Sequence, residues 1–276
     1  FACMMKGRQY NRQILNGETK CNLYAIPESN NINRKHLDYL GNNISDKKAW
    51  GKAKEEIDEI LDIFIDAKEY GSILNVSDKY NFSGLKDFIK GIKPKDREMQ
   101  LSDETIGIER TQDDVLEILS VAKILAQNYD VVVTNPPYMG SSGMNPKLSK
   151  YVKDNYPDSK SDLFAVFMER CKKYAKSYGY YAMITQHAWM FLSSYEKLRE
   201  KLQSNTICNM VHLGARAFEE IGGEVVQTTA FVFKNNFMND YKGSYIRLVD
   251  VNNAGEKEKK TLEAIQSPGC GYYYET

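Results

Sequence analysis

Asn135-Pro136-Pro137-Tyr138 is the stretch of this 276-residue chain whose residue types and order could do chemistry. An amine conjugated to a flat ring or to a carbonyl is a poor nucleophile because its lone pair is delocalised. It attacks an electrophilic carbon only when both of its N–H groups are drawn out of plane. The Asn135 side-chain carbonyl and the backbone carbonyl of Pro136 are two acceptors for two such donors, and the proline rings lock the φ angles that hold the second. Tyr138 offers a face on which a planar ring can lie. No carboxylate or nucleophilic side chain is required. Taken alone, the tetrapeptide is equally a turn, since Asn and Pro are ordinary turn formers.

The elements around it decide between these readings. Val131-Val132-Val133 is β-branched throughout and too short for a helix, which predicts a central strand covered on both faces and ended by Asn-Pro-Pro. In an open α/β sheet ligands sit beyond the carboxyl ends of the strands, where Asn135 to Tyr138 falls. Upstream, residues 1–16 read as the end of a helix and Cys21 to Ile26 as a short strand stopped by Pro27. Trp50, Ala53, Ile57, Ile60, Leu61 and Phe64 mark an amphipathic helix over 47–69, and 71–110 reads as an irregular, Lys-rich insertion carrying a short helix. Thr111 with Asp114 resembles a capping box for a helix through Leu125. Downstream, a helix over 162–175 closed by Gly179, a strand over 180–185, a helix around Leu198, and strands over 207–213 and 228–233 follow. This order predicts an α/β fold with a mainly parallel sheet, helices on both faces and an antiparallel strand pair at its C-terminal edge.

The segment Asp130-Val131-Val132-Val133-Thr134-Asn135-Pro136-Pro137-Tyr138 resembles motif IV of the class I amino-methyltransferases that act on adenine. The likeness extends over residues 110–235. Ser161 to Glu169 resembles the helix after the catalytic loop, Gly179 to Thr185 the next strand, and Val211 to Phe218 with Thr228 to Phe233 the final strand pair. Within that family, Met4-Met5-Lys6-Gly7-Arg8-Gln9 and the Asn135 loop look most like the large PglX-type enzymes of BREX phage-exclusion systems. The resemblance implies a Rossmann-like class I methyltransferase sheet and methyl transfer from S-adenosylmethionine to N6 of an adenine flipped out of double-stranded DNA. It further implies a catalytic set of Asn135, Pro136, Pro137 and Tyr138, with Phe218 as a second aromatic for the base unless that ring is core packing. Other phage-defence subunits are implied as partners. The implied domains are a partial cofactor-binding half (1–40), a helical insertion (41–110), a catalytic half (111–235) and the start of a C-terminal region (236–276).

The chain departs from that family at the cofactor. The methionine end of S-adenosylmethionine normally rests on a glycine-rich turn after the first strand, where backbone must approach ligand closely. The only G-x-G here is Gly269-Cys270-Gly271, which neither follows a convincing strand nor opens a helix. The expectation is therefore a fragment whose glycine-rich turn lies upstream of Phe1, and which by itself transfers no methyl group. Glu28 and Ser29 after the Cys21–Ile26 segment are cofactor-binding candidates, with a loop turn as the blander role.

Lys plus Arg equals Asp plus Glu at 37 each, so no global positive field advertises nucleic acid, and DNA contact must be local. Lys147, Lys150 and Lys153, with Lys160, in a flexible loop after Gly140 are candidates for tracking phosphates, though Asp154 and Asp158 dilute their charge. Five scattered cysteines show no metal-ligand spacing and no metal is expected; His36, His187 and His212 show no partner pattern, although Gln186 and His187 could line the site. Neither a membrane span nor a signal peptide is seen, so the expected location is cytoplasmic, with no membrane partner. Two rivals remain: methylation of a protein glutamine amide, which presents the same two donors, and a non-catalytic DNA-binding remnant.

Overall fold

The computed structural model describes residues 22–41, 45–91, 107–218 and 226–275. The chain divides into two compact units, one of Phe1–Lys68 with Tyr80–Ile124 and one of Glu69–Lys79 with Leu125–Thr276.

The described part of the first unit is helical: α1 (Lys35–Gly41), α2 (Lys47–Ile63), α3 (Phe82–Gly91) and most of α4 (Ile108–Ala126). Asp46 caps α2 by accepting from the Ala49 N–H at 2.9 Å, and the predicted stripe Trp50, Ile57, Ile60 and Leu61 is buried. That helix ends at Ile63, six residues earlier than expected, and Asp66 follows with φ +56° before a single turn at Ala67–Tyr70. The expected strand from Cys21 is absent over 22–26: Leu23 and Tyr24 are 66% and 50% exposed, and an apolar run becomes a strand only where another strand supplies a ladder. Thr111 does not cap α4, which begins at Ile108; its hydroxyl instead lies 2.8 Å from His36 Nδ1. The expected helix over 1–16 lies outside the described residues, apart from which no described helix is long and apolar enough to cross a membrane.

The second unit is built on a six-stranded sheet of order β1-β2-β4-β3-β5-β6, with β1 (Tyr129–Thr134), β2 (Ala175–Gln186), β3 (Thr206–Gly214), β4 (Thr228–Lys234), β5 (Ser244–Arg247) and β6 (Tyr273–Glu275). β1 and β2 are parallel, β4 runs antiparallel to both β2 and β3, β5 is parallel to β3, and β6 is antiparallel to β5. Hence β1, β2, β3 and β5 point one way, β4 and β6 the other. The antiparallel β3/β4 pair exists as expected, but β4 sits inside the sheet and β5 and β6 extend it. Four helices accompany the sheet: α5 (Pro146–Asn155), α6 (Leu163–Tyr174), α7 (Glu196–Leu202) and α8 (Ala254–Gln266). One core joins Phe164 and Met168 of α6 and Leu198 of α7 to Tyr181, Met183, Phe231 and Phe233 of the sheet, with Tyr181 and Phe233 stacked at 5.2 Å.

Three expectations change here. Among the described residues β1 is an edge strand, with Val131 and Val133 59% and 71% exposed while Val132 packs on the core. Consecutive β-branched residues specify an extended chain, but strand alternation sends only every second one inward. Gly179 does not cap α6, whose last residue is Tyr174; it belongs to a bulge in β2, where the register jumps from Tyr129↔Ala175 to Val131↔Tyr180. A Cβ on Gly179 would lie 3.0 Å from the Asp130 and Lys176 carbonyl oxygens, so any side chain there would have to push backbone aside. The basic segment after Gly140 is not a loop but α5, capped by Asn145 accepting from the Leu148 N–H at 2.9 Å with Pro146 in the first turn.

Candidate functional site

β1, β2 and β3 end at one edge of the sheet and β4 begins there, since Thr228 faces both Gln186 and Gly214. β1 stops opposite Met183 while β2 continues to Gln186, so Asn135 to Tyr138 runs beside the last residues of β2. Asn135 is exposed, and its amide has no hydrogen-bond partner among the described residues. Pro136 is buried, Pro137 exposed and Tyr138 half-buried. The Tyr138 ring meets Phe164 edge-to-face at 6.3 Å and its hydroxyl donates to the Ile184 carbonyl at 3.4 Å. One side of the ring is thus braced by the core while part stays open. Burial, and then the charge of Asp162, pushes the Tyr138 phenol above its ordinary range, so it stays protonated at neutral pH.

Asp162 ties this loop down, a role that sequence reasoning missed. Its carboxylate accepts from the Met139 N–H at 3.1 Å and the Phe164 N–H at 3.2 Å, capping α6 and gripping the residue after Tyr138 together. The Leu163 N–H donates to the Met139 carbonyl at 3.0 Å and the Ser141 N–H to the Ser161 carbonyl at 3.0 Å. Burial raises the Asp162 pKa against the opposing pull of the amide hydrogen bonds. The available signal was Ser161-Asp162 before an apolar helical run, a cap pattern whose loop-holding function needs the fold.

A second feature hidden by sequence distance lies at the same edge. His187 Nδ1 and His212 Nε2 are 2.8 Å apart, although 25 residues separate them. Burial holds both imidazoles below their usual range, with His187 and the charges of Arg247 and Lys257 adding to the effect on His212. A neutral pair shares one N–H···N bond, whereas two protons would set two cations face to face. A depressed folded-state pKa contributes stability that is present above the unfolded value of about 6.5 and is lost as pH falls through the folded values. Thermal melts should therefore show Tm declining as pH falls below about 6.5, and His212→Gln should flatten that decline. An identical decline in the variant would assign it to other groups.

The remaining expected site residues are placed as follows. Phe218 lies four residues past the end of β3, half-buried and without an aromatic neighbour among the described residues. Lys147, Lys150 and Lys153 lie on α5 with exposed side chains, and Lys150 pairs with Asp154 at 2.5 Å. Glu28 accepts from the Lys68 N–H at 3.2 Å and Ser29 donates to the Leu61 carbonyl at 2.5 Å, so both are spent on fastening their own segment within the first unit.

A sheet with such an edge is shared by many proteins, and comparison with known ones narrows it. Residues 14–218 match the family model described as Eco57I restriction-modification methylase. The chain belongs to that family. It is 42% identical over its whole length to the adenine-specific methyltransferase PglX of Lacticaseibacillus casei (strain Zhang). It is 39% identical over 94% of its length to the adenine-specific methyltransferase BrxX of Escherichia coli O9:H4 (strain HS). The chain spans 22% of the length of each of these relatives. Among solved structures, a modification subunit of a putative type I restriction enzyme from Vibrio vulnificus YJ016 aligns over 60% of this chain and 41% of its own, with 11% identity and a TM-score of 0.42.

Glu28 and Ser29, the residues expected to hold S-adenosylmethionine, do not fit it. Both are already engaged, and among the described residues no glycine-rich turn joins a strand to a helix.

Proposed function

We propose that this chain forms the target-base half of an adenine-N6 DNA methyltransferase, with S-adenosylmethionine as methyl donor and double-stranded DNA as substrate. The single observation that carries the reading is the Asn135 amide, without a hydrogen-bond partner among the described residues, beside a braced, half-open Tyr138 ring at the carboxyl end of β1. The Asn135 and Pro136 carbonyls accept the two N–H groups of the exocyclic amine and turn its lone pair toward the incoming methyl carbon. The proton left on nitrogen after transfer passes to solvent. Tyr138 replaces part of the stacking lost when the base leaves the duplex, an exchange of a few kcal/mol. Phe218 and the lysines of α5 are assigned to the same surface, the first against the base and the second along phosphates.

Membership of the Eco57I methylase family, together with two adenine-specific relatives, favours DNA over a glutamine-bearing protein, whose amide would satisfy the same two acceptors. A partnership with other phage-defence subunits and a cytoplasmic location belong to the same proposal. The test is to offer the full-length protein double-stranded DNA and, separately, a glutamine-bearing protein substrate with labelled donor. N6-methyladenine in the DNA is the expected product; label in the protein alone, or in neither, would overturn the proposal. The 276-residue chain assayed alone is expected to show no turnover, because among the described residues no glycine-rich turn joins a strand to a helix to cradle the donor.

A further inference from the structure

We infer that Phe191 and Leu192 form an apolar tip that enters the base stack when the target adenine is displaced, an inference that rests on the proposed DNA-adenine reading. Both side chains are large and apolar, yet 61% and 53% exposed. Exposure of this kind on a floppy loop would mean little, but this turn is pinned from several sides. Trp189 is buried against Phe231 and donates its Nε1–H to the Thr185 hydroxyl at 3.2 Å. Arg199 Nη1 donates to the Trp189 and Leu192 carbonyls at 2.9 and 2.7 Å, and the Phe191 and Leu192 N–H groups both bond back to the Ala188 carbonyl. The His187 ring stands edge-on to Phe191 at 5.3 Å, backed by His212.

The tip follows the end of β2, at the edge of the sheet where β1 and the Asn135 loop also end. Leu192 accepts from the Tyr195 N–H, and Tyr195 lies 5.8 Å from Phe164, the same ring that braces Tyr138. A rigid turn that holds two exposed apolar groups at the same end of the sheet as the Asn135 loop matches the need of an enzyme that empties a position in a duplex, where apolar wedges take the place of lost stacking. Neither Phe191 nor Leu192 itself carries a hydrogen-bonding side chain, so these two groups suit stacked bases rather than phosphate, with the exposed Ser193 and Ser194 hydroxyls following them in the chain.

The recognition sequence is first mapped from the N6-methyladenines left by the wild-type full-length protein. The Phe191→Ala/Leu192→Ala double variant is then assayed on duplexes carrying that site with the target adenine either paired or mismatched. Mismatching lowers the cost of extrusion, so the variant is expected to be about 10- to 100-fold slower on the paired duplex and within about threefold of wild type on the mismatched one. Tm should be unchanged, since neither side chain is buried. Equal loss on both duplexes, or no loss on either, would overturn the inference while leaving the methyltransferase reading intact. If the wild-type protein leaves no methyladenine, both fall; Asn135→Ala should be slow on both duplexes alike.

Discussion

In the full-length protein, Asn135→Ala should lower N6-adenine methylation by about 10²- to 10³-fold with little change in DNA affinity. Removing one preorganised polar group aimed at a reacting centre typically costs that much. The effect belongs in kcat, because the amide acts on a nitrogen already delivered to the site while phosphate contacts elsewhere hold the duplex. Folding should be unaffected, as Asn135 is exposed and makes no hydrogen bond among the described residues. Asn135→Asp keeps a carbonyl-type acceptor and should retain part of the rate. Single-turnover rates and filter-binding affinities for the two variants separate these terms; wild-type turnover by Asn135→Ala would remove the asparagine from the chemistry.

Asp162→Ala is expected to damage both stability and rate. The carboxylate bonds two backbone N–H groups from a buried position, and its loss leaves Met139 and Phe164 amides short of a partner, at a cost of about 1–3 kcal/mol in denaturant unfolding. The loop carrying Tyr138 would then shift, and a misplacement of about 1 Å at a reacting centre can reduce turnover about 10²-fold. Asp162→Asn distinguishes geometry from charge. Its amide oxygen can still accept both bonds and it avoids burying a negative charge, which is the main reason the Asp162 pKa is raised. That variant should be at least as stable as wild type and keep most of the rate; equal damage by both substitutions would point to the charge itself.

What could be read in advance followed local chemistry. Val131 to Val133 running into two prolines announced a strand with a fixed end, and the 3.6-residue spacing of Trp50, Ile57, Ile60 and Leu61 announced α2. What escaped depends on partners remote in sequence. Nothing in Val131-Val132-Val133 states that Val131 and Val133 are left exposed among the described residues, and nothing around Thr228 states that β4 lies between β2 and β3. Lys147 and its neighbours looked like loop because lysines and serines dominate there, yet Asn145-Pro146 is a helix start and Leu148 and Val152 supply its buried side. The His187/His212 contact could not be inferred from two isolated histidines. Residues 22–26 show the opposite error, an apolar string given a strand's role although among the described residues it finds no ladder.

The interior position of β4 has a consequence for biosynthesis. Its seven residues bond β2 on one side and β3 on the other, so the last-made of these three strands is the one in the middle. As the polypeptide leaves the ribosome, β2 and β3 have no direct ladder to each other and wait for residues 228–234 to slot between them. Such nonlocal closure is slow and leaves strand borders open to wrong associations meanwhile. Nascent chains released before that point should be prone to aggregate, and a pause in translation shortly after it should favour correct assembly.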